Sequence, residues 1–294
     1  MKQRIGLIGV GLMGHGIGIN LAGKGYSLTV LEHPGNQPLD ALLAAGAKTA
    51  QTAAALAAAV DVVIVCVTGS PQVEAVVTGQ GGVLAGLRNG GIVIDCSTAI
   101  PASTERIAQA VAAAGGRFLD APMTRTPKEA AAGRLNLLVG GDAALFAECR
   151  PILAAFAENI THVGPAGAGH RMKLLHNFVS LGSIALLAEA ANCAARAGIA
   201  TDVFLDVLTK GGGGGTALER VRPYLLAQDV SAMRFAISNA HKDLDYYTTM
   251  AGDTGVPHAI ADGVRDTLGA AVAAGGGQSA LPELIRWLGD ASPR

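Results

Sequence analysis

The stretch RIGLIGVGLMGHGIGINLAGKGYSLTVLE, residues 4–32, decides the fold. It begins with a short apolar strand and ends with a second one, and a helical segment lies between them. Gly9, Gly11 and Gly14 follow the first strand in the pattern GxGxxG, which lets the backbone turn tightly and approach a pyrophosphate at a helix N-terminus. Because strand, glycines and helix occur in this order, the stretch predicts a βαβ unit that binds a dinucleotide.

Glu32 ends this stretch and lies 18 positions after Gly14. A carboxylate at the end of the second strand can accept hydrogen bonds from the adenosine ribose, and it repels a 2′-phosphate. The next residues are His33 and Pro34, so no arginine is available there to bind that phosphate. We therefore predict NAD as the cofactor rather than NADP. The alternative, in which Glu32 only caps a loop, stays open.

Composition indicates a globular cytoplasmic protein. The 294 residues are 50% hydrophobic and 15% charged, which is enough for two domains with large cores. The formal net charge of −1 and the lack of a basic cluster argue against nucleic acid or an anionic membrane as a partner. The four cysteines stand far apart without a CxxC motif, no metal site is predicted, and no apolar run is long enough to span a bilayer.

Strands alternate with helices as far as about residue 164, which predicts an α/β domain with a doubly wound parallel sheet in residues 1–164. From His170 to Ala197 the one helix breaker is Gly182, so a single long helix is predicted there. The sequence after it contains helical segments and no strand candidate. We therefore predict an all-α domain in residues 165–294.

Polar residues follow the predicted strands at their carboxyl ends, where open α/β sheets bind ligands. They are Thr68, Ser97 with Thr98, and the run Thr124, Arg125 and Thr126. The long helix presents a second polar set at spacing i, i+3, i+4 and i+7, formed by Lys173, His176, Asn177 and Ser180. This spacing puts all four on one helix face, which we expect to line the ligand cleft. A solvent-exposed edge is the alternative.

Reduction of a carbonyl by a hydride leaves negative charge on the oxygen, so an acid must lie within hydrogen-bond reach. Lys173 can supply both the proton and the positive charge, and His176 is the alternative acid, which the residues alone do not exclude. Arg125 offers a planar fork suited to a carboxylate, phosphate or sulfonate, although it could equally be an exposed loop arginine. Lys242 and Asp243 could be no more than an exposed ion pair.

Five motifs in order resemble the β-hydroxyacid dehydrogenase family over nearly the whole chain. They are GVGLMG at 9–14, DCST at 95–98, DAPM at 120–123, GAGHRMK at 167–173 with Asn177, and KDL at 242–244. The resemblance implies a Rossmann domain and a long interdomain helix, followed by an all-α domain that also forms a homodimer or homotetramer interface. It further implies interconversion of a small 3-hydroxy acid and its semialdehyde by NAD(P)-dependent hydride transfer.

The resemblance also assigns roles to residues. It makes Lys173 the catalytic acid or base and Asn177 the residue that binds the substrate beside it. The cofactor contacts of the family fall on Leu12, Met13, Glu32, Val67 and Thr98, with Lys242 near the nicotinamide. An acidic residue at the position of Glu32 is similar to the members that use NAD.

Departures from the family pattern concern the substrate. Thr124, Arg125 and Thr126 stand where most members have Ser-Gly-Gly, and an Arg-Thr pair there resembles the sulfolactaldehyde reductases, in which arginine helps to bind a sulfonate. Ser180 matches a serine of that branch, whereas His176 replaces its usual asparagine. We therefore predict that these five residues bind a small anionic substrate or its sulfonate analogue. The alternatives are an imine reductase-like enzyme, although these generally lack the lysine, and a non-catalytic NAD-binding protein.

Overall fold

The computed structural model describes residues 2–290. The chain divides into two compact units, and the division falls within one long helix, between Lys173 and Leu174. The first unit has two clusters of buried hydrophobic residues, and the second unit has one.

Nine strands of the described residues form one sheet in the first unit. They are β1 (Ile5–Ile8), β2 (Leu28–Leu31), β3 (Lys48–Ala50), β4 (Val62–Val65), β5 (Ile92–Asp95), β6 (Arg117–Asp120), β7 (Met123–Thr124), β8 (Leu135–Gly141) and β9 (Ala157–Gly164). The helices are α1 (Leu12–Gly23), α2 (Asp40–Ala44), α3 (Ala53–Ala59), α4 (Ser70–Thr78), α5 (Val83–Gly86), α6 (Pro101–Ala113), α7 (Pro127–Ala131), α8 (Ala143–Leu153) and the start of α9 (Ala168–Arg196).

The strand order is β3-β2-β1-β4-β5-β6-β8-β7, and β9 pairs with β8. Strands β1 to β6 pair with one another in parallel throughout, which confirms the predicted doubly wound sheet. From β1 the chain adds β2 and β3 on one side, and it then adds β4, β5 and β6 on the other side of β1. Open α/β sheets bind ligands at such a switch point in the strand order. Strand β8 runs antiparallel to both β6 and β7, because the short connection between β7 and β8 permits antiparallel pairing but not a parallel crossover.

Apolar residues cover both faces of this sheet. Along β4 every residue is buried, and alternate side chains belong to different cores. Val62 and Ile64 pack in one core, whereas Val63 and Val65 pack in the other. This two-sided burial explains why the strand is apolar throughout rather than alternating.

Some short elements differ from the sequence-based prediction. The alanine-rich sequence up to Lys48 predicts a helix, but α2 ends at Ala44 and residues 48–50 form β3. Alanine favours a helix locally, yet pairing with β2 in the register Thr29 to Lys48 places these residues at the sheet edge. Helices α5, α7 and α8 and strand β9 were not predicted either.

The second unit contains the rest of α9 with α10 (Thr201–Lys210), α11 (Thr216–Ala227), α12 (Ile237–Asp253), α13 (Ala259–Ala273), α14 (Leu284–Asp290) and two short 3-10 turns. Between residues 174 and 290 the structure has no strand longer than an isolated bridge, which confirms the predicted all-α region. Helix α9 runs over 29 residues, close to the predicted range.

Helix α9 is long and apolar enough to cross a membrane by length and composition alone. Its residues Leu181, Ile184 and Ala188 are buried in the core of the second unit, where they pack against other helices. We therefore interpret α9 as a core helix of the second unit.

Candidate functional site

The turn between β1 and α1 has the geometry of a dinucleotide-binding loop. Gly9 has φ +89°, and a Cβ there would overlap the carbonyl oxygen of Cys66. A Cβ on Gly14 would overlap the carbonyl oxygen of Gly9, so α1 approaches the loop as closely as glycine permits. By contrast, a Cβ on Gly11 would have no atom within 4 Å, which leaves open space beside the N-terminus of α1. A pyrophosphate fits this cradle, because free N–H groups and the helix dipole favour an anion there.

Leu12 and Met13 form the first turn of α1. The side chain of Leu12 is 60% exposed, whereas Met13 is partly buried against the core of the first unit. An exposed apolar residue beside the cradle is consistent with the predicted contact to a dinucleotide.

Glu32 follows β2 directly, and its N–H donates to the carbonyl of Ala50 at 2.9 Å. Its carboxylate accepts a hydrogen bond from Gln51 Nε2 at 2.5 Å. Hydrogen bonds from Thr49 and then from Gln51 lower the pKa of the Glu32 carboxyl, so this group carries its negative charge at neutral pH. Strand β3 and the residue after it therefore supply partners for Glu32 that the sequence did not reveal, because β3 itself was not predicted.

A cleft of about 500 Å³ lies beside Glu32. Its lining residues are Glu32, His33, Pro34, Asn36, Gln37, Leu39 and Gln51. Asn36 connects this cleft to the glycine loop, since its Oδ1 accepts from the N–H of Val10 at 3.2 Å and its Nδ2 donates to the carbonyl of Leu31 at 2.9 Å. The cleft thus adjoins the glycine loop.

Hydrogen bonds join the turns that follow β4 and β5. The N–H of Val67 donates to Ser97 Oγ at 3.0 Å, and the N–H of Ser97 donates to Asp95 Oδ1 at 2.9 Å. Burial raises the pKa of the Asp95 carboxyl, which lies fully inside the first unit. Val67 and Thr98, two of the predicted cofactor contacts, are thereby held on neighbouring turns.

The run after β6 forms a separate polar group at the sheet edge. Thr124 is buried, and its Oγ1 accepts from Asn136 Nδ2 at 3.1 Å. Arg125 has φ 82°, a conformation that non-glycine residues rarely adopt. Its guanidinium pairs with the carboxylate of Glu158, an ion pair that lowers the pKa of Glu158, and it also donates to the carbonyl of Arg134 at 2.5 Å.

Thr126 has a structural partner in this group. Its N–H and its hydroxyl both donate to Glu129, at 3.1 and 2.5 Å, and thereby cap α7. These bonds lower the pKa of the Glu129 carboxyl. The hydroxyl hydrogen of Thr126 is therefore engaged within the protein.

Lys173 lies in the second turn of α9 and is partly buried at the end of the first unit. Four residues later on the same helix, Asn177 is buried in the second unit. Asn177 Nδ2 donates to Asp243 Oδ2 at 2.6 Å, and its Oδ1 lies 3.0 Å from His176 Nδ1. Lys242 Nζ pairs with Asp243 Oδ1 at 2.8 Å.

The burial of Asp243 rules out the exposed ion pair with Lys242 and adds Asp243 to the candidate site. The side chain of Asp243 is 3% exposed, so its pair with Lys242 is not an exposed ion pair. Asp243 was given no role from sequence, and only the packing of α12 reveals that it holds Asn177. On the same helix, Ser180 Oγ accepts a long hydrogen bond of 3.4 Å from Arg220.

Two family models match the chain. Residues 4–164 match the NAD binding domain of 6-phosphogluconate dehydrogenase, and residues 167–288 match the model described as NAD-binding of NADP-dependent 3-hydroxyisobutyrate dehydrogenase. The chain is similar to the NAD-dependent L-serine dehydrogenase of Pseudomonas aeruginosa, with 36% identity over 76% of this chain and 74% of the relative. It is also similar to the 3-sulfolactaldehyde reductase of Escherichia coli K12, with 31% identity over 96% of this chain and 95% of the relative.

Solved structures agree with these matches. A 3-hydroxyisobutyrate dehydrogenase from Salmonella typhimurium has a TM-score of 0.85 and 30% identity, covering 97% of this chain and 99% of its own. An imine reductase from Myxococcus stipitatus is more distant, with a TM-score of 0.65 and 22% identity over 98% of this chain and all of its own. The second likeness shows the fold alone.

Proposed function

Because the chain belongs to the β-hydroxyacid dehydrogenase family, we propose that it interconverts a small anionic 3-hydroxy acid and its semialdehyde with Lys173 as general acid and base. Its membership makes it an NAD(P)-dependent oxidoreductase of hydroxy acids. The proposal adds the residue roles, the anionic group and the preferred cofactor.

NAD rather than NADP is the proposed cofactor, and it supplies or accepts the hydride when bound. Gly9, Gly11 and Gly14 would hold the pyrophosphate, and the ionised Glu32 would accept hydrogen bonds from the ribose. The same carboxylate would repel a 2′-phosphate, since two negative charges would meet in one cleft. In this assignment residues 1–164 bind the cofactor and residues 165–294 contribute to substrate binding.

Lys173 is the proposed proton donor in reduction. Its ammonium group can transfer a proton to the carbonyl oxygen as negative charge develops there, and in oxidation the neutral amine accepts the proton of the hydroxyl. The observation that carries this proposal is the fixed amide of Asn177, one helical turn from Lys173 and hydrogen-bonded to the buried Asp243. An amide with its orientation fixed can align a substrate oxygen with the lysine.

Arg125 and Thr124 are proposed to bind the remote anion of the substrate, together with Thr126, His176 and Ser180. A guanidinium can bind a carboxylate or sulfonate through two parallel hydrogen bonds. Arg125 already pairs with Glu158, so a substrate anion has to share or replace that partner. The likeness to a 3-sulfolactaldehyde reductase favours a sulfonate among the possible anions.

The test is an NADH-oxidation screen of semialdehydes that carry a carboxylate, a phosphate or a sulfonate, with a neutral aldehyde as reference. Wild type is compared with Lys173→Ala, Arg125→Ala and the matched control Arg134→Ala, whose side chain is exposed nine residues further on. We expect Lys173→Ala to lose turnover while it still binds NADH. Arg125→Ala should raise KM for the anionic substrates by about tenfold or more, since hydrogen bonds to charged groups contribute roughly 1.5–3 kcal/mol.

Other outcomes would contradict the proposal. Unchanged turnover in Lys173→Ala would remove the lysine from the chemistry. Turnover of cyclic imines alone would favour the imine reductase alternative, and NADH binding without turnover of any aldehyde would favour a non-catalytic protein. Equal KM effects of Arg125→Ala and Arg134→Ala would remove Arg125 from anion binding.

Localisation and assembly complete the proposal. We assign the protein to the cytoplasm, in agreement with four cysteines that form no disulfide in the structure. A homodimer or homotetramer is the proposed assembly, supported by exposed apolar side chains on α9 such as Val179 and Leu186. Light scattering of the purified protein would measure the subunit number, and a monomer at micromolar concentration would contradict the assignment.

A further inference from the structure

A buried polar cluster that the proposed function does not use lies at the N-terminus of α9, within the first unit. Its ionisable members are Asp95, Asp120 and His170, and each of them is 0% exposed. Buried ionisable groups are expensive to retain unless hydrogen bonds satisfy them. Asp120 and His170 each have such hydrogen bonds.

Asp120 caps α9 from outside the helix. It ends β6, and its Oδ1 accepts the N–H of Gly167 at 2.8 Å while its Oδ2 accepts the N–H of His170 at 2.9 Å. These N–H groups belong to the first turn, where no intrahelical acceptor is available. A carboxylate at a helix N-terminus is also favoured by the helix dipole. Both oxygens of Asp120 thus tie the start of α9 to the sheet.

His170 ties the same turn to two further elements. Its Nε2 lies 3.1 Å from the carbonyl oxygen of Ser97 and therefore donates to it. Its Nδ1 lies 2.8 Å from Thr104 Oγ1 on α6. The carboxylates of Asp95 and Asp120 flank the ring at 3.9 and 3.8 Å. One side chain thereby links the turn after β5, helix α6 and helix α9.

Close packing leaves this turn of α9 little room to shift. A Cβ on Gly169 would overlap the carbonyl oxygen of Leu138 on β8. A Cβ on Gly140, also on β8, would lie 2.7 Å from the N atom of Gly169. The backbones of β8 and α9 are therefore in direct contact, and the hydrogen bonds of Asp120 and His170 select one arrangement of that contact.

The cluster connects residues that the proposed function uses. Ser97, which accepts from His170, also accepts the N–H of Val67 through its Oγ and directly precedes Thr98. Lys173 lies three residues after His170 on the same face of α9. We propose that Asp120 and His170 are positioning residues, which fix Lys173 relative to the cofactor-contacting turns at Val67 and Thr98. This inference rests on the proposed role of Lys173.

The test compares His170→Leu, His170→Gln and Asp120→Asn with the matched control His162→Leu. His162 lies in the same unit and is partly buried, and its Nε2 lies 2.8 Å from the carbonyl oxygen of Gly141, but it holds no part of α9. For each variant kcat, KM, the Kd for NADH, the Tm and amide hydrogen exchange of residues 167–172 are measured.

We expect His170→Leu to lower kcat by roughly tenfold to a hundredfold, because a displacement of about 1 Å can cost on the order of a hundredfold. The Kd for NADH should change by less than about threefold, since the lysine lies outside the glycine loop. His170→Gln should recover most of kcat, because its side-chain amide can donate to the carbonyl of Ser97. Asp120→Asn leaves one N–H of the first turn without an acceptor, so amide exchange there should accelerate.

A purely structural role gives a different pattern. In that case His162→Leu would lower kcat as much as His170→Leu at an equal loss of Tm. His170→Gln would also fail to recover kcat. These two results together would overturn the inference. If His170→Leu fails to fold, Asp120→Asn is the deciding variant, and an unchanged kcat with unchanged amide exchange in Asp120→Asn would overturn the inference. Loss of turnover in Lys173→Ala with full kcat in the His170 and Asp120 variants would refute this inference alone, whereas full turnover in Lys173→Ala would refute the proposed function.

Discussion

Asn177 donates its side-chain amide to the carboxylate of Asp243 over 2.6 Å, in the interior of the second unit. This bond fixes the amide orientation, because only Nδ2 can donate to a carboxylate while Oδ1 lies towards His176. Lys242 pairs with the other oxygen of the same carboxylate and offsets its buried charge. Asp243 therefore holds two residues that the proposed function uses.

Removal of this carboxylate should impair turnover. We expect Asp243→Ala to lower kcat by about tenfold or more, because a hydrogen bond to a charged group contributes roughly 1.5–3 kcal/mol. Asp243→Asn should be milder, since its Oδ1 can still accept from Asn177. Steady-state kinetics with an acidic semialdehyde measure the effect, and Asp245→Ala, an exposed aspartate on the same helix, is the control. A kcat of Asp243→Ala equal to that of the control would show that Asn177 needs no such support.

In the glycine loop, one substitution should weaken cofactor binding without changing the free energy of unfolding. Gly11 has φ −77° and no atom near the position of a Cβ, so Gly11→Ala should change the free energy of unfolding by less than about 0.5 kcal/mol. It should nevertheless weaken NADH binding by about tenfold or more, because the methyl group enters the space proposed for the pyrophosphate.

Gly9→Ala should behave differently from Gly11→Ala. Its positive φ and its overlap with the Cys66 carbonyl should destabilise the fold by about 1–3 kcal/mol. Urea unfolding and NADH fluorescence titration measure the two effects. Full NADH affinity in Gly11→Ala would place the pyrophosphate elsewhere.

Glu32 should control the choice between the two dinucleotides. Glu32→Arg replaces a repelling carboxylate with a guanidinium that can bind a 2′-phosphate. We expect the ratio of the NADPH and NADH dissociation constants to shift by at least about tenfold, or about 1.4 kcal/mol, in favour of NADPH. Glu148→Gln, which changes an exposed partner of Arg117, should leave this ratio unchanged. An unaltered ratio in Glu32→Arg would contradict the assigned role.

Asp61 should make stability depend on acidic pH. It accepts hydrogen bonds from the backbone and guanidinium of Arg4, which lower its pKa from 3.8 to about 2. Because the folded pKa lies below the unfolded one, this stabilisation is present above about pH 4 and is lost as the pH falls through about 2. The side chain is 36% exposed, so solvent screening reduces the contribution to about 1 kcal/mol.

Asp61→Asn should accordingly lower the free energy of unfolding at pH 7. The difference from wild type should shrink as the pH approaches 2, because the wild-type carboxyl is then protonated too. Urea unfolding at several pH values measures it. Asp206→Asn, which breaks an exposed i,i+4 pair with Lys210, is the control and should show a smaller difference at every pH. A difference for Asp61→Asn that stays constant from pH 7 to pH 2 would rule out a role for its charge.

Sequence patterns predicted the elements whose signals are local. The glycine loop with its flanking strands and the apolar run of β4 were predicted, as was the long helix α9, because each shows its periodicity or its breakers within one segment. The edge strands β3 and β9 were not predicted. Their residues have no strand pattern of their own, and only pairing with β2 and β8 makes them strands.

In the candidate site, the sequence likewise predicted the residues with local signals but not their distant partners. Gly9, Glu32 and Lys173 were selected from sequence because motif spacing, strand ends and family resemblance identify them. The support of Glu32 by Gln51 was not foreseen, because it depends on β3. The ion pair of Arg125 with Glu158 was not foreseen either, since it joins residues 33 positions apart.

By itself, the sequence determined the class of fold, the dinucleotide loop and the helix that carries Lys173, because short-range periodicity and glycine positions encode them. Only the tertiary structure decided which buried side chains position the residues of the candidate site. Asp243 meets Asn177 across 66 positions, and Asp120 meets His170 across 50. Contacts of this kind form only when separate elements pack together, since a buried carboxylate is stable only where distant donors converge on it.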